Sequence, residues 1–178
     1  LGKLAERSSK LAEILGAAAR EGLWDLVLSE TPFYAEGGGQ VGDTGEIRGA
    51  GFHLRVEGTR KERGRFIHAA RLLEGDPGMI RPGLPVTAQV DEGRRRAIQR
   101  NHTATHLLHG ALREVIGKHL HQKGSLVEAE RLRFDVTHFE AIQAKDLDRV
   151  EEIVLAQITL DLPVETIETG QAEALKMG

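Results

Sequence analysis

Residues Asn101–Gln122 read NHTATHLLHGALREVIGKHLHQ, and they hold five of the chain's eight histidines. Ala104, Leu108, Ala111, Leu112 and Val115 recur at helical spacing, so the stretch predicts a helix with one apolar stripe. Asp91 is placed to cap its start and Glu92 to favour its positive end, and Gly117 ends it after Ile116. His102 and His106 stand four residues apart, about 40° around the helix, so both imidazoles leave one face. His109 lies within about 60° of them. The histidines border the apolar stripe, where a cleft would form.

Upstream of this helix the pattern is short strands and turns. Leu23–Ser29 is an apolar run of strand type. Glu46–Arg48, Phe52–Glu57, Phe66–His68 and Val86–Val90 alternate in polarity, and Gly49, Gly51, Gly64, Asp76-Pro77-Gly78 and Arg81-Pro82-Gly83 punctuate them. This predicts a small β-barrel or sandwich over residues 21–90. His53 and His68 fall inside these strands and read as structural. Further upstream, residues 3–20 are expected to be a helix, with Leu4, Leu11, Ile14, Leu15 and Ala18 as its stripe.

Downstream, Gln122–Val127 leads into a strand, and Arg131–Val136 alternates so as to bury Leu132, Phe134 and Val136. Lys145–Leu160 predicts a second amphipathic helix, striped by Leu147, Val150, Val154 and Ile158. Pro163–Ile167 reads as a strand and Gln171–Met177 as the start of a helix. The expectation is an α+β chain: an N-terminal helix over 1–20, a barrel over 21–90, and an α+β domain over 91–178 with two long helices packed on a sheet.

Composition narrows the chemistry. The 178 residues contain no cysteine, which excludes disulfides and thiolate catalysis. No apolar run is long enough to span a bilayer, and no signal peptide opens the chain. A cytoplasmic protein is the expectation. The chain starts at Leu1 and ends at Gly178 with no evident stop, so it reads as a piece of something longer. Net charge is −3, so bulk charge does not advertise nucleic-acid binding. Two basic clusters stand out locally: Arg60, Lys61, Arg63 and Arg65, then Arg94, Arg95, Arg96 and Arg100. Solvated faces and phosphate contacts account for them equally well.

The stretch from Gly37 to Gly45, GGGQVGDTG, has five glycines in nine residues. It is not a phosphate-binding P-loop, because no Lys-Ser or Lys-Thr follows, and no helix follows to make it a dinucleotide fingerprint. A tight hairpin is the favoured reading, and a pocket lined by backbone amides is the other. Two histidines at i, i+4 are half a zinc site, since zinc takes four ligands or three and a water. Thr103 stands where a zinc protease has its Glu, so that route lacks a general base. A metal site and a metal-free polar cleft edge remain equally open on spacing alone. Ser125, His138 and Asp135 do not make a hydrolase triad, because no nucleophile elbow is present.

Three stretches taken together resemble the editing region of alanyl-tRNA synthetases. They are Thr31–Gly45 (TPFYAEGGGQVGDTG), Asn101–His109 (NHTATHLLH), and Gln122–Val127 (QKGSLV) with Arg131–Asp135 (RLRFD). Their order and separation match, over about Leu23 to the chain end. The resemblance implies a small β-barrel followed by an α+β editing domain, related to free-standing trans-editing deacylases and to the threonyl-tRNA synthetase editing domain. It implies hydrolysis of tRNA for alanine that has been mischarged with serine or glycine. It implies Zn2+ held by His102 and His106, with a cysteine and a histidine from a later C-x-x-x-H element that this sequence does not contain. Zinc is therefore expected to be weak or absent here, and hydrolysis impaired. Thr105 and Gln122 would line the amino-acid pocket, and Gly38, Gly39 and Gln40 would approach it. ATP would serve only a synthetase core outside this chain. Arg94, Arg95, Arg96 and Arg100 are the expected tRNA contacts. A non-catalytic tRNA-binding or packing module and a free-standing deacylase are the alternatives.

Overall fold

The structure is a computed structural model, and it describes residues 8–20, 22–163, 167 and 169–177. The first half is a closed six-stranded barrel. Its strands are β1 (Ser9–Arg20), β2 (Leu23–Leu28), β3 (Gly45–Gly49), β4 (Phe52–Glu62), β5 (Arg65–Gly75) and β6 (Pro85–Val90), ordered β1-β2-β5-β4-β3-β6 around the wall. Every pairing is antiparallel. Alternation along each strand sends Ile47, Leu54, Val56, Ala70, Val86, Ala88 and Val90 into the lumen with Ile14 and Leu26. Of the barrel and the sandwich that the strand pattern allowed, the chain takes the closed barrel, which leaves no open sheet edge.

The helix expected over residues 3–20 is not formed: Ser9–Arg20 is strand β1, and residues 3–7 lie outside the described residues. The supposed apolar stripe fails in detail, since Leu11 and Leu15 are 82% and 56% exposed while Ile14 is fully buried. Ala12 and Ile14 instead face inward with period two. Residues Ser9–Glu13 pair with β6, and Ile14–Arg20 pair with β2 across a bulge between Ile14 and Gly16. β1 is thus the stave that closes the barrel. Two neighbouring strands satisfy its backbone, and that pairing outweighs the helix propensity of an Ala- and Leu-rich segment. The barrel accordingly begins by Ser9, not at residue 21.

Helix α1 (Glu92–Val115) follows directly, capped by Asp91, whose Oδ1 accepts the Arg94 N–H at 3.1 Å. It leads to the hairpin β7 (Gln122–Val127) and β8 (Leu132–Val136), then to α2 (Ala144–Thr159) and α3 (Gln171–Met177). Ala111, Leu112, Leu120 and Val150 form a second core, flanked by Leu108, Val115, Phe134, Val136, Ile153 and Val154. The α2 stripe is shifted from expectation. Val150, Ile153 and Val154 pack inward, while Leu147 and Ile158 are 48% and 53% exposed. Leu132, Phe134 and Val136 are half-buried rather than buried. The strand expected at Pro163–Ile167 lies largely outside the described residues. Among the described residues, no helix is long and apolar enough to cross a membrane.

Candidate functional site

The glycine-rich loop ties the two halves together. Gly38 and Gly39 have φ of 60° and 83°, and Gly37 and Gln40 exchange both backbone hydrogen bonds, at 3.1 and 3.0 Å. Two successive positive φ angles make a tight hairpin turn of the primed type, which explains glycine at both places. A Cβ on Gly39 would also overlap Ser125 Oγ and its carbonyl. The loop takes the hairpin reading. Its backbone also receives another element: Val127 N–H donates to Gly39 O at 2.8 Å, and Val41 N–H donates to Val127 O at 3.1 Å. Strand β7 is thereby laid along the loop in parallel.

The base of the loop is clamped by a buried charge. Asp43 is 2% exposed. Its Oδ2 accepts the Tyr34 N–H at 2.7 Å and the Arg95 Nε–H at 3.1 Å, and it pairs closely with the Arg95 Nη2 as well. Arg95 donates further to Pro32 O at 2.6 Å, and Arg94 donates to Gly42 O at 2.8 Å. Two arginines from the first turns of α1 thus grip the loop. Thr59 of β4 braces the other side, its carbonyl accepting the Glu36 N–H at 2.8 Å and its hydroxyl donating to Asp43 O at 3.1 Å. Nothing in the sequence singled out Asp43 or Thr59. The signal was available only in Arg95, an arginine aimed inward from a capped helix.

This clamp sets Gln40 against α1. Gln40 Oε1 lies 2.6 Å from His102 Nδ1. An amide oxygen can only accept, so Nδ1 carries the proton and Nε2 keeps its lone pair. The His102 and His106 rings stack at 5.2 Å between centroids, 14° from parallel. Burial lowers the His102 pKa, and the neighbouring His106 lowers it further. Both effects favour a neutral imidazole. On the other side of the loop, Gln122 Nε2 donates to Ser125 Oγ at 3.2 Å, and Ser125 Oγ is 3.5 Å from Gly38 O.

The structure thus gathers Gly38, Gly39, Gln40, His102, His106 and Gln122 around one loop. Thr105 sits on the same helix but is buried, its hydroxyl donating to Asn101 O at 2.8 Å. That donation leaves lone pairs on its oxygen as acceptors. Asn101 fastens the far end of the β7–β8 hairpin, donating to Glu128 O and Ala129 O at 2.8 and 3.2 Å. His109 does not join the histidine pair. It packs on Phe134 at 5.3 Å, with its Nε2 buried and unpartnered among the described residues. Of the α1 arginines, Arg94 and Arg95 are committed to the loop, Arg96 pairs with Glu92 at 3.4 Å, and Arg100 is exposed.

A zinc ion is tested by these donors. His102 suits one, because a ligating imidazole commonly donates its other N–H to a carbonyl, as here to Gln40. The set is nonetheless short: no group of three metal-capable side chains occurs among the described residues. Two imidazoles do not satisfy a zinc site, so no chemistry is routed through the metal.

Comparison with known proteins gives a consistent picture. A family model described as tRNA synthetases class II (A) matches residues 4–94. The alanine–tRNA ligase of Halorhodospira halophila is 50% identical over 153 residues, covering 86% of this chain and 17% of that protein. The alanine–tRNA ligase of Thermus thermophilus is 53% identical over 154 residues, with the same coverage of each. That of Pseudomonas fluorescens is 48% identical over 153 residues. The chain therefore spans about a sixth of the length of these relatives, 17% in each case.

Proposed function

This chain belongs to the class II (A) tRNA synthetases, and from that premise we propose that it carries the editing function of an alanine–tRNA ligase: hydrolysis of tRNA for alanine mischarged with serine or glycine. The observation that carries this reading is the junction at Gln40. There the barrel loop meets His102 of α1 at 2.6 Å, and the β7 segment bearing Gln122 reaches the same loop through Ser125 Oγ, 3.5 Å from Gly38 O.

In this reading water adds to the ester carbonyl, the bond to the ribose oxygen breaks, and that oxygen takes the proton. The products are free amino acid and tRNA. Neutral His102 offers its Nε2 lone pair as a metal ligand or proton acceptor, and Gln40 holds the tautomer. Thr105 and Gln122 are the selectors. A hydroxyl oxygen and an amide can satisfy a seryl hydroxyl, whereas an alanyl methyl would leave them unmet. His102 and His106 supply two zinc donors. We infer that this chain binds zinc weakly and hydrolyses slowly by itself.

Deacylation of seryl- and glycyl-tRNA for alanine tests the proposal. His102→Ala and Gln122→Ala are each expected to slow it by at least about tenfold, through loss of a proton acceptor and of a hydrogen bond to the substrate. Rates unchanged in both variants would leave a non-catalytic tRNA-binding module as the better account. Metal analysis of the purified chain is expected to show well under one zinc per molecule, and a tightly held equivalent would overturn the two-donor argument.

A further inference from the structure

The barrel carries a feature that the editing chemistry does not use. Strands β4 and β5 run past the rest of the barrel wall and end in a two-residue turn at Arg63-Gly64, with φ of 48° and 79°. β2 pairs with β5 only from Trp24 to Leu26, so beyond that point the hairpin separates from its neighbour. The space between them is a groove of about 580 Å³ lined by Gly16, Ala17, Ala18, Arg20, Asp25, Glu62, Arg63 and Arg65 among others. A second groove of about 630 Å³ continues it past Arg65 to Lys10, Thr31 and Phe66.

The charge at this tip opposes that of the chain. Arg20, Arg60, Lys61, Arg63 and Arg65 stand with two carboxylates, Asp25 and Glu62, and in the second groove Lys10 pairs with Glu30, on a chain of net charge −3. Arg60 is spent internally, donating to both Asp25 oxygens at 3.1 and 2.8 Å. Lys61, Arg63 and Arg65 are exposed. Phe66 presents an exposed ring, with Lys61 Nζ 5.7 Å from its centroid. Exposed cations beside an exposed aromatic ring suit a phosphate backbone with an unpaired base against the ring. The floor of Gly16, Ala17 and Ala18 has no bulk to obstruct a strand.

We propose that the β4–β5 hairpin tip and the groove beside it dock the sugar-phosphate backbone of RNA. This rests on the reading of the chain as a tRNA-acting enzyme. It places the main electrostatic contact on the barrel rather than on α1, where Arg94 and Arg95 are already engaged with the loop. The hairpin is also wired to the candidate site. Thr59, which braces the glycine-rich loop, lies four residues before Arg63 on β4, about 13 Å along a strand.

The test measures binding of an unacylated tRNA transcript and of a short single-stranded RNA across a salt series. Lys61→Ala/Arg63→Ala/Arg65→Ala is expected to weaken both at least tenfold near 0.1 M salt. It should also lower the slope of log K against log salt by about two, at roughly 0.7–0.9 per lost phosphate contact. Lys61→Arg together with Arg63→Lys and Arg65→Lys should keep the slope, which separates charge from folding. Phe66→Leu should weaken single-stranded RNA binding with the slope unchanged. RNA binding that survives the triple variant but falls with Arg96→Ala/Arg100→Ala overturns the assignment and leaves the editing reading standing. Absence of RNA binding in the parent chain also overturns it, and the deacylation rates then judge the editing reading separately.

Discussion

The barrel and the helical half are held together in different ways, and the candidate site lies where they meet. Among the described residues the barrel core holds thirteen buried apolar side chains and the α1–α2 core four. Most of the burial-derived stability therefore sits in the barrel. The helical half relies on α1 lying across α2 and the β7–β8 hairpin, and it leaves Leu147, Leu155 and Ile158 of α2 exposed. The barrel half holds the loop, and the helical half brings histidines and Gln122 to it. A candidate site assembled from two bodies needs a fixed joint, and Asp43 with Arg95 is that joint.

Breaking the joint should have the largest effect. Asp43→Ala leaves the Arg95 guanidinium, 11% exposed, without its carboxylate. Removing one partner of a buried pair costs about 3–5 kcal/mol. Denaturant unfolding should record that loss, and the His102 ring resonances should shift as Gln40 is released. Unchanged stability would mean that α1 is held by its other contacts.

Core truncation sharpens the contrast between halves. Ile47→Ala in the barrel should cost about 3 kcal/mol and shift the global transition. Val150→Ala should cost about 2 kcal/mol, and hydrogen exchange should show it confined to α1, α2 and β7–β8 while barrel amides stay protected. Equal loss of protection in both halves would show one cooperative unit.

The smallest effect is a pH dependence within the barrel. His68 is fully buried, its Nδ1 3.0 Å from Leu26 O and its Nε2 2.7 Å from Thr31 Oγ1. The carbonyl can only accept, so Nδ1 carries the proton and Nε2 accepts from the threonine. Burial pushes its pKa down, partly offset by the bond to Leu26. A folded pKa below the unfolded value of about 6.5 means that the unfolded chain binds the extra proton. Stability is then flat above that value and falls as pH drops below it, by at most about 1.4 kcal/mol per pH unit. His68→Gln should remove that slope in thermal melts between about pH 6.5 and 5. A slope that persists in the variant would assign it to other groups.

Much of this was legible in the residues because it is local. An apolar run named β2 and alternation named β3, β4, β5 and β6, although β4 and β5 proved longer than read, and the cap at Asp91 and stop near Ile116 bounded α1. The helical repeat put His102 and His106 on one face, and they do stack. Local signals misled at Ser9–Arg20, where an Ala- and Leu-rich run became a strand because β2 and β6 stood on either side of it. His109 failed as a companion of the pair for a similar reason: Phe134, 25 residues away in sequence, captures its ring.

What the sequence by itself determined, then, is periodic and short-range: which segments alternate, where the α1 helix starts, and that the glycine-rich stretch turns as a hairpin. Tertiary structure alone decided the long-range meetings. Those are the closure of the barrel by β1, the burial of Asp43 under Arg95, and the contact of Gln40 with His102 across 62 positions. The physical reason is that pairing partners and buried charges are chosen by the fold's neighbours, and no repeat along the chain encodes who those neighbours are.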